Sequence, residues 1–199
     1  MRNILREDNK GNLRKGECMM SKVTIISGSP SEQTRLNGVL QFVSNHFHRG
    51  EITPEIINIR NLPAEDLIQA RFESEEIVKE NKKVENANII VILTPVYKAS
   101  FSGVLKTYLD LLPQNSLEGK TIIPIAVGGT LGHLLMFDYA LKPVLAALGA
   151  THILKGVYIL DIQIKKLGNN RYELESEAKI RLESTLNNIK SSLFTVKSV

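Results

Sequence analysis

The chain has no tryptophan and only one cysteine, Cys18, among its 199 residues. A lone thiol excludes an intramolecular disulfide framework, so the fold must rest on its own core, and a cytoplasmic setting is expected. No apolar run approaches the ~20 residues that cross a bilayer. Histidine is sparse too: four residues, scattered outside any metal-ligand spacing, so no metal site is expected. Neither sign of charge dominates. Of the net +4, residues 1–20 supply +2 from five basic and three acidic side chains, which leaves +2 for the remainder. That bias is too weak for a nucleic-acid surface but suits a small phosphorylated ligand. Familiar phosphate signatures are also missing: there is no Gly-Lys-Ser/Thr of a Walker loop and no G-x-G-x-x-G of a dinucleotide fold. The first strand lacks the terminal acidic pair of a phospho-acceptor receiver domain.

What is present centres on residues 88–113, NIIVILTPVYKASFSGVLKTYLDLLP. A run of Ile and Val predicts a strand buried on both faces, Thr94-Pro95 predicts its end, and Val104, Leu105, Tyr108, Leu109 and Leu112 recur at helical spacing. A strand apolar on both faces belongs to a parallel sheet covered by helices on both sides, where ligands bind beyond the carboxyl ends of the strands. Two more strand ends carry loops of the same kind. VTIIS at 23–27 leads into Gly28-Ser29-Pro30-Ser31-Glu32-Gln33-Thr34-Arg35-Leu36-Asn37, small and hydroxyl residues that open a helix running to about His48. Backbone N–H groups at such a helix start hold phosphate, and Ser29, Ser31, Thr34 and Arg35 could add side-chain donors. KTIIPIAV at 120–127 ends in Gly128-Gly129-Thr130, where glycines permit close approach of a ligand to the backbone. Each loop has a plainer reading as a connection, a cap at Thr34 or a turn at Gly128; three in succession point to one flat, phosphorylated ligand.

The remaining segments complete an alternating pattern. Residues 55–60 read as an edge strand, 61–72 as a long connection ending in Arg71-Phe72, and 74–86 as an amphipathic helix with Ile77 and Val84 inward. Residues 131–148 read as a helix with His133 near its start and an irregularity near Tyr139, because Pro143 cannot complete the helical hydrogen-bond pattern. A last strand falls within 152–164, a turn at 168–170, and a closing helix from Leu174 to about Phe194. The expected organisation is a disordered extension at 1–20 without a secretory signal, then one domain at 21–195. Its fold is α/β: a flavodoxin-like, doubly wound, five-stranded parallel sheet of order 2-1-3-4-5 with helices on both faces.

Four blocks go further. They are Ala64-Glu65-Asp66-Leu67 with Ala70-Arg71-Phe72; Thr94-Pro95-Val96-Tyr97-Lys98-Ala99 with Ser102-Gly103 and Leu105-Lys106-Thr107; Gly128-Gly129-Thr130 with His133-Leu134-Leu135; and Asp138-Tyr139-Ala140-Leu141-Lys142-Pro143-Val144-Leu145. With these blocks the chain resembles the NADPH-dependent FMN reductase family, and within it the reductase component of two-component alkanesulfonate monooxygenase systems. The resemblance covers residues 22–194. It implies FMN with NADPH, or NADH, as cofactors, and a flavin-dependent monooxygenase of sulfonate-sulfur assimilation as the partner that receives reduced FMN. It places Ser29, Thr34, Arg35 and Asn37 on the FMN phosphate, with Ser31 where the family often has Arg. It places Pro95, Val96, Tyr97 and Lys98 along the ribityl chain and ring, and Gly128, Gly129, Thr130 and His133 on the other edge. No side chain acts as a nucleophile, and His133 is at most a supporting contact. Tyr139 matches an inserted aromatic tied to a π-bulge at a tetramer interface, which implies a homotetramer or dimer. The alternatives are a flavin-retaining quinone, azo-dye or metal reductase, and a non-catalytic flavin-binding electron carrier.

Overall fold

The computed structural model describes residues 5–7, 13–15 and 22–193. Cys18, most of the expected extension and residues 21, 194 and 195 of the expected domain lie outside the described residues. Within the extension, Leu5–Glu7 and Leu13–Lys15 pair as a short antiparallel ladder.

The central sheet forms from the apolar runs. β1 (Val23–Ser27) pairs in parallel with β2 (Glu55–Asn58) on one side and with β3 (Ile89–Tyr97) on the other. β4 (Ser100–Phe101) folds back antiparallel on the end of β3, and β5 (Thr121–Gly128) continues the parallel order beside β3. Side-chain alternation sorts these strands between two cores. Ile26, Ile57, Ile90, Ile92, Ile122 and Ala126 pack on one face, against α2 (Ala64–Ile68), α3 (Glu75–Asn86), α4 (Gly103–Leu109) and α5 (Lys142–Ala147). Ile25, Ile89, Val91, Leu93, Ile123 and Ile125 pack on the other, against α1 (Leu36–Arg49) and α6 (Ser176–Leu193). The parallel strands run β2-β1-β3-β5, the flavodoxin-like order that the apolar pattern implies.

The fifth position is shared. β6 (His152–Ile153) and β7 (Val157–Leu160) both pair with β5, separated by a break at 154–156. Gly156 lies in this break, where a Cβ would lie 2.7 Å from the Phe137 ring, which fills the space. A second hairpin, β8 (Ile164–Gly168) and β9 (Arg171–Leu174), stands apart from the main sheet. The sequence showed only its turn, where Gly168, Asn169 and Asn170 all have positive φ.

Two expectations are corrected here. The predicted loop from Pro95 is instead three further strand residues, Pro95, Val96 and Tyr97, then a tight turn at Lys98 and Ala99 (φ +49° and +62°) into β4. Proline is tolerated at 95 because it sits near the strand's exit, still in register with Val127. The single helix expected over 131–148 is three pieces: a 3₁₀ turn at Leu131–His133, a π-helix at Phe137–Leu141 and α5. Pro143 has no N–H to give the Tyr139 carbonyl, and the ladder widens so that the Lys142 N–H reaches the Phe137 carbonyl. His133 therefore closes a short 3₁₀ turn rather than opening a long helix.

Candidate flavin site

Register brings three loops to one end of the sheet. Ser27 is level with Leu93, so Gly28 leaves β1 beside Thr94, and Pro95 is level with Val127, so Val96 and Gly128 follow side by side at the same end of the sheet. One buried hydroxyl ties two of these ends together. Ser102 donates to the Gly28 carbonyl at 2.6 Å and accepts from the Leu105 N–H at 3.1 Å, capping α4, while its own N–H donates to Thr94 Oγ1 at 3.0 Å. Gly28 is held so closely that a Cβ there would lie 2.7 Å from Leu105 Cβ. Ser102→Ala removes the cap and the link at once, and should cost about 2–3 kcal/mol of stability in chemical denaturation. An unchanged midpoint would contradict the link.

The first loop is folded on itself. The Ser29 hydroxyl donates to the Ser31 carbonyl at 3.1 Å and accepts from its N–H at 3.3 Å, and Thr34 Oγ1 accepts from the Leu36 N–H at 3.3 Å. The Asn37 amide donates to the Glu32 carbonyl. Ser31 and Arg35 are exposed, and Arg35 Nε donates to the Ile164 carbonyl at 3.1 Å. In the second loop Pro95 is buried, Val96 half-buried, Tyr97 50% exposed, and Lys98 exposed at the turn. In the third, Gly129 and Thr130 are exposed, Thr130 Oγ1 accepts from the Gly132 N–H at 3.2 Å, and His133 is half-buried. All thirteen sequence-derived cofactor positions fall on these three strand ends or on the turns and helix start that follow them. Tyr139 does not: it stands 80% exposed on the π-helix, and Leu131, Leu134 and Leu135, earlier in the same segment, are exposed as well.

Sequence reasoning missed Tyr158. It lies on β7 level with Ala126, and its ring packs edge-to-face on Phe137 of the π-helix with centroids 6.3 Å apart. Its hydroxyl occupies the space that Gly128 leaves: a Cβ at 128 would lie 2.1 Å from Tyr158 Oη and 3.1 Å from Val96 Cβ. Burial, and to a lesser degree the Asp161 carboxylate, raises the pKa of this phenol, so it remains a protonated donor across the neutral range. Tyr158 Oη and the hydroxyl of Ser27, at the end of β1, are both buried without a hydrogen-bond partner among the described residues. A polar ligand resting on these strand ends fits that arrangement. A cavity of about 800 Å³ lies elsewhere, between α3 and residues 111–120, and shares no residue with the three loops. Strand polarity, rather than cavity size, places the site.

Among the described residues no cluster of His, Cys, Asp or Glu could hold a metal ion, and no helix is long and apolar enough to cross a membrane.

Comparison with known proteins identifies the family. The NADPH-dependent FMN reductase family matches residues 21–164. An FMN reductase (NADPH) of Escherichia coli (strain K12) is 39% identical over 165 residues, 83% of this chain and 86% of that protein. An FMN reductase (NADPH) of Pseudomonas putida (strain KT2440) is 44% identical over 142 residues, 71% of this chain and 72% of that protein. Among solved structures, an NADH:FMN oxidoreductase in its apo form superposes with a TM-score of 0.78 at 28% identity, covering 90% of this chain and 93% of that one. With two thirds and more of each sequence aligned and the same α/β architecture, the chain belongs to the NADPH-dependent FMN reductase family.

Proposed function

We propose that the protein is an NAD(P)H-dependent FMN reductase that binds flavin across the three strand ends and releases it, reduced, to a flavin-dependent monooxygenase. The observation that carries the reading is the convergence of Gly28, Val96 and Gly128 at one end of a parallel sheet, between a helix-opening turn and a glycine pair. Arg35 and the turn that opens α1 take the phosphate; Ser29, Ser31, Thr34 and Asn37 shape that turn. Pro95, Val96, Tyr97 and Lys98 support the ribityl chain and one edge of the ring, and Gly128, Gly129, Thr130 and His133 the other. FMN supplies the redox chemistry, accepting a hydride from the reduced nicotinamide. The protein contributes position: Gly128, which lacks a side chain, gives the ring access to the backbone, and the Gly128–Gly129 N–H groups can stabilise negative charge on its polar edge. The relatives' names include both NADPH and NADH as donors, and both are candidates here.

The exposed face of Leu131, Leu134, Leu135 and Tyr139 fits a second copy of this chain, giving a dimer or tetramer. Deleting Tyr139 should tighten flavin retention and change the oligomeric mass; unchanged mass and flavin occupancy would contradict that role. Proteins of this composition, with one cysteine, suit the cytoplasm, and alkanesulfonate-sulfur assimilation is the setting the sequence pattern suggests.

The reading is tested by NADPH oxidation with and without added FMN, followed by gel filtration. Oxidation that depends on added FMN, with little flavin retained, supports a reductase that passes flavin on. Oxidation with flavin retained supports the quinone or azo-dye reductase alternative, and no oxidation supports an electron carrier.

A further inference from the structure

The turn that takes the phosphate carries no net charge of its own. Between Gly28 and Asn37, Glu32 offsets Arg35, and Arg35 commits its Nε to the Ile164 carbonyl. A phosphate monoester brings about −1.5 to −2 at neutral pH. Arg35 alone leaves much of that charge uncompensated.

The balance comes from the far end of the chain. The β8–β9 hairpin begins where the family match ends, at residue 164, and it is fastened to this turn and to α1. Arg35 donates to its first carbonyl, Gln41 Nε2 donates to the Asn170 carbonyl at 2.9 Å, and Tyr172 packs into the space left by Gly38, where a Cβ would lie 2.6 Å from Tyr172 Cβ. So anchored, the hairpin brings Lys166 to the turn: its Nζ donates to the Gln33 carbonyl at 2.9 Å. Lys166 is exposed, and an ammonium has three N–H donors, so two remain for an anion at the same turn. Lys165, the preceding residue on the strand, alternates to the other face and is level with Glu173. Beneath the turn lies the Ser27 hydroxyl, 1% exposed and without a partner, on the same sheet face as Ile25 and hence on the side of α1.

We infer that Lys166 is a phosphate-binding residue of the flavin site, contributing charge that distinguishes FMN from unphosphorylated flavin. The inference rests on the FMN reading above and adds a residue and a discrimination to it. The C-terminal hairpin thereby becomes part of the site: it carries one phosphate cation and orients the other through the Ile164 carbonyl.

The test is titration of the full-length protein with FMN and with riboflavin, at low and high salt, for the wild type, Lys166→Gln, Lys166→Arg and Lys165→Gln. The inference predicts that Lys166→Gln weakens FMN binding about tenfold, as loss of one charge-assisted contact does, leaves riboflavin unchanged and flattens the salt dependence. Lys166→Arg should retain FMN affinity, and Lys165→Gln should behave as wild type. Unchanged FMN affinity in Lys166→Gln overturns the inference. So does an equal loss for FMN and riboflavin, since that marks a displaced hairpin rather than a lost phosphate contact. Wild type alone tests the underlying reading: if it fails to prefer FMN over riboflavin, the phosphate assignment of the turn falls, whatever the variants do.

Discussion

Arg35→Ala is expected to weaken FMN binding by about 10- to 100-fold, the range for losing a charge-assisted hydrogen bond worth about 1.5–3 kcal/mol. The loss should appear in KM for FMN more than in kcat, because the phosphate lies far from the atom that receives the hydride and is held equally before and during transfer. Riboflavin should be almost unaffected. A smaller effect should accompany it: the Nε bond to the Ile164 carbonyl is lost, at a cost of about 1 kcal/mol. Flavin fluorescence titration and a denaturation curve measure the two separately. Equal losses for FMN and riboflavin would indicate that Arg35 holds the hairpin and not the phosphate.

Gly128→Ala should have the largest effect on turnover. The new methyl would lie 2.1 Å from Tyr158 Oη, 3.0 Å from Tyr158 Cζ and 3.1 Å from Val96 Cβ. Tyr158 is 4% exposed and backed by Phe137, so it has little room to withdraw. Overpacking of this kind costs about 1–3 kcal/mol. The strain falls between two of the loops that support the ring, and displacement of about 1 Å in a reacting pair can cost 100-fold in rate. NADPH oxidation with FMN should therefore fall by about that factor, together with a lower melting temperature. In the double variant Gly128→Ala/Tyr158→Phe the 2.1 Å contact disappears and the 3.0 Å contact to the ring remains, so partial recovery of both properties is expected. A single variant that melts and turns over like wild type would show that Tyr158 does not press on this loop.

Both predictions depend on contacts that the sequence revealed unevenly. The sheet was legible because Ile and Val runs at 23–27, 88–93 and 121–127 are apolar on both faces, which a parallel arrangement between helices requires. The three loops were legible for the same reason, since a strand's end fixes where its loop emerges. Tyr158 was not, because in VYIL it reads only as one more core residue; its closeness to Gly128 exists only once β7 lies beside β5. The hairpin escaped notice for another reason. IKKLGNNRYEL is short, charged and mostly exposed, and its stability comes from α1 and the phosphate turn rather than from a periodic apolar face. Residues 131–148 read as one helix, whereas the segment divides into a 3₁₀ turn, a π-helix and α5, with Leu131, Leu134 and Leu135 exposed. Composition marked the disturbance at Tyr139, but the breadth of the π-turn followed only from the backbone.

The central claim is that these three strand ends bind FMN so that reduced nicotinamide can deliver a hydride to it. Anaerobic rapid mixing of the protein and FMN with NADPH, following the flavin's visible absorbance, tests it most directly. The account predicts bleaching of FMN with one NADPH consumed per flavin, much faster than in a mixture without protein and slowed about 100-fold by Gly128→Ala. Bleaching no faster than in the protein-free mixture, with FMN demonstrably bound, would contradict it.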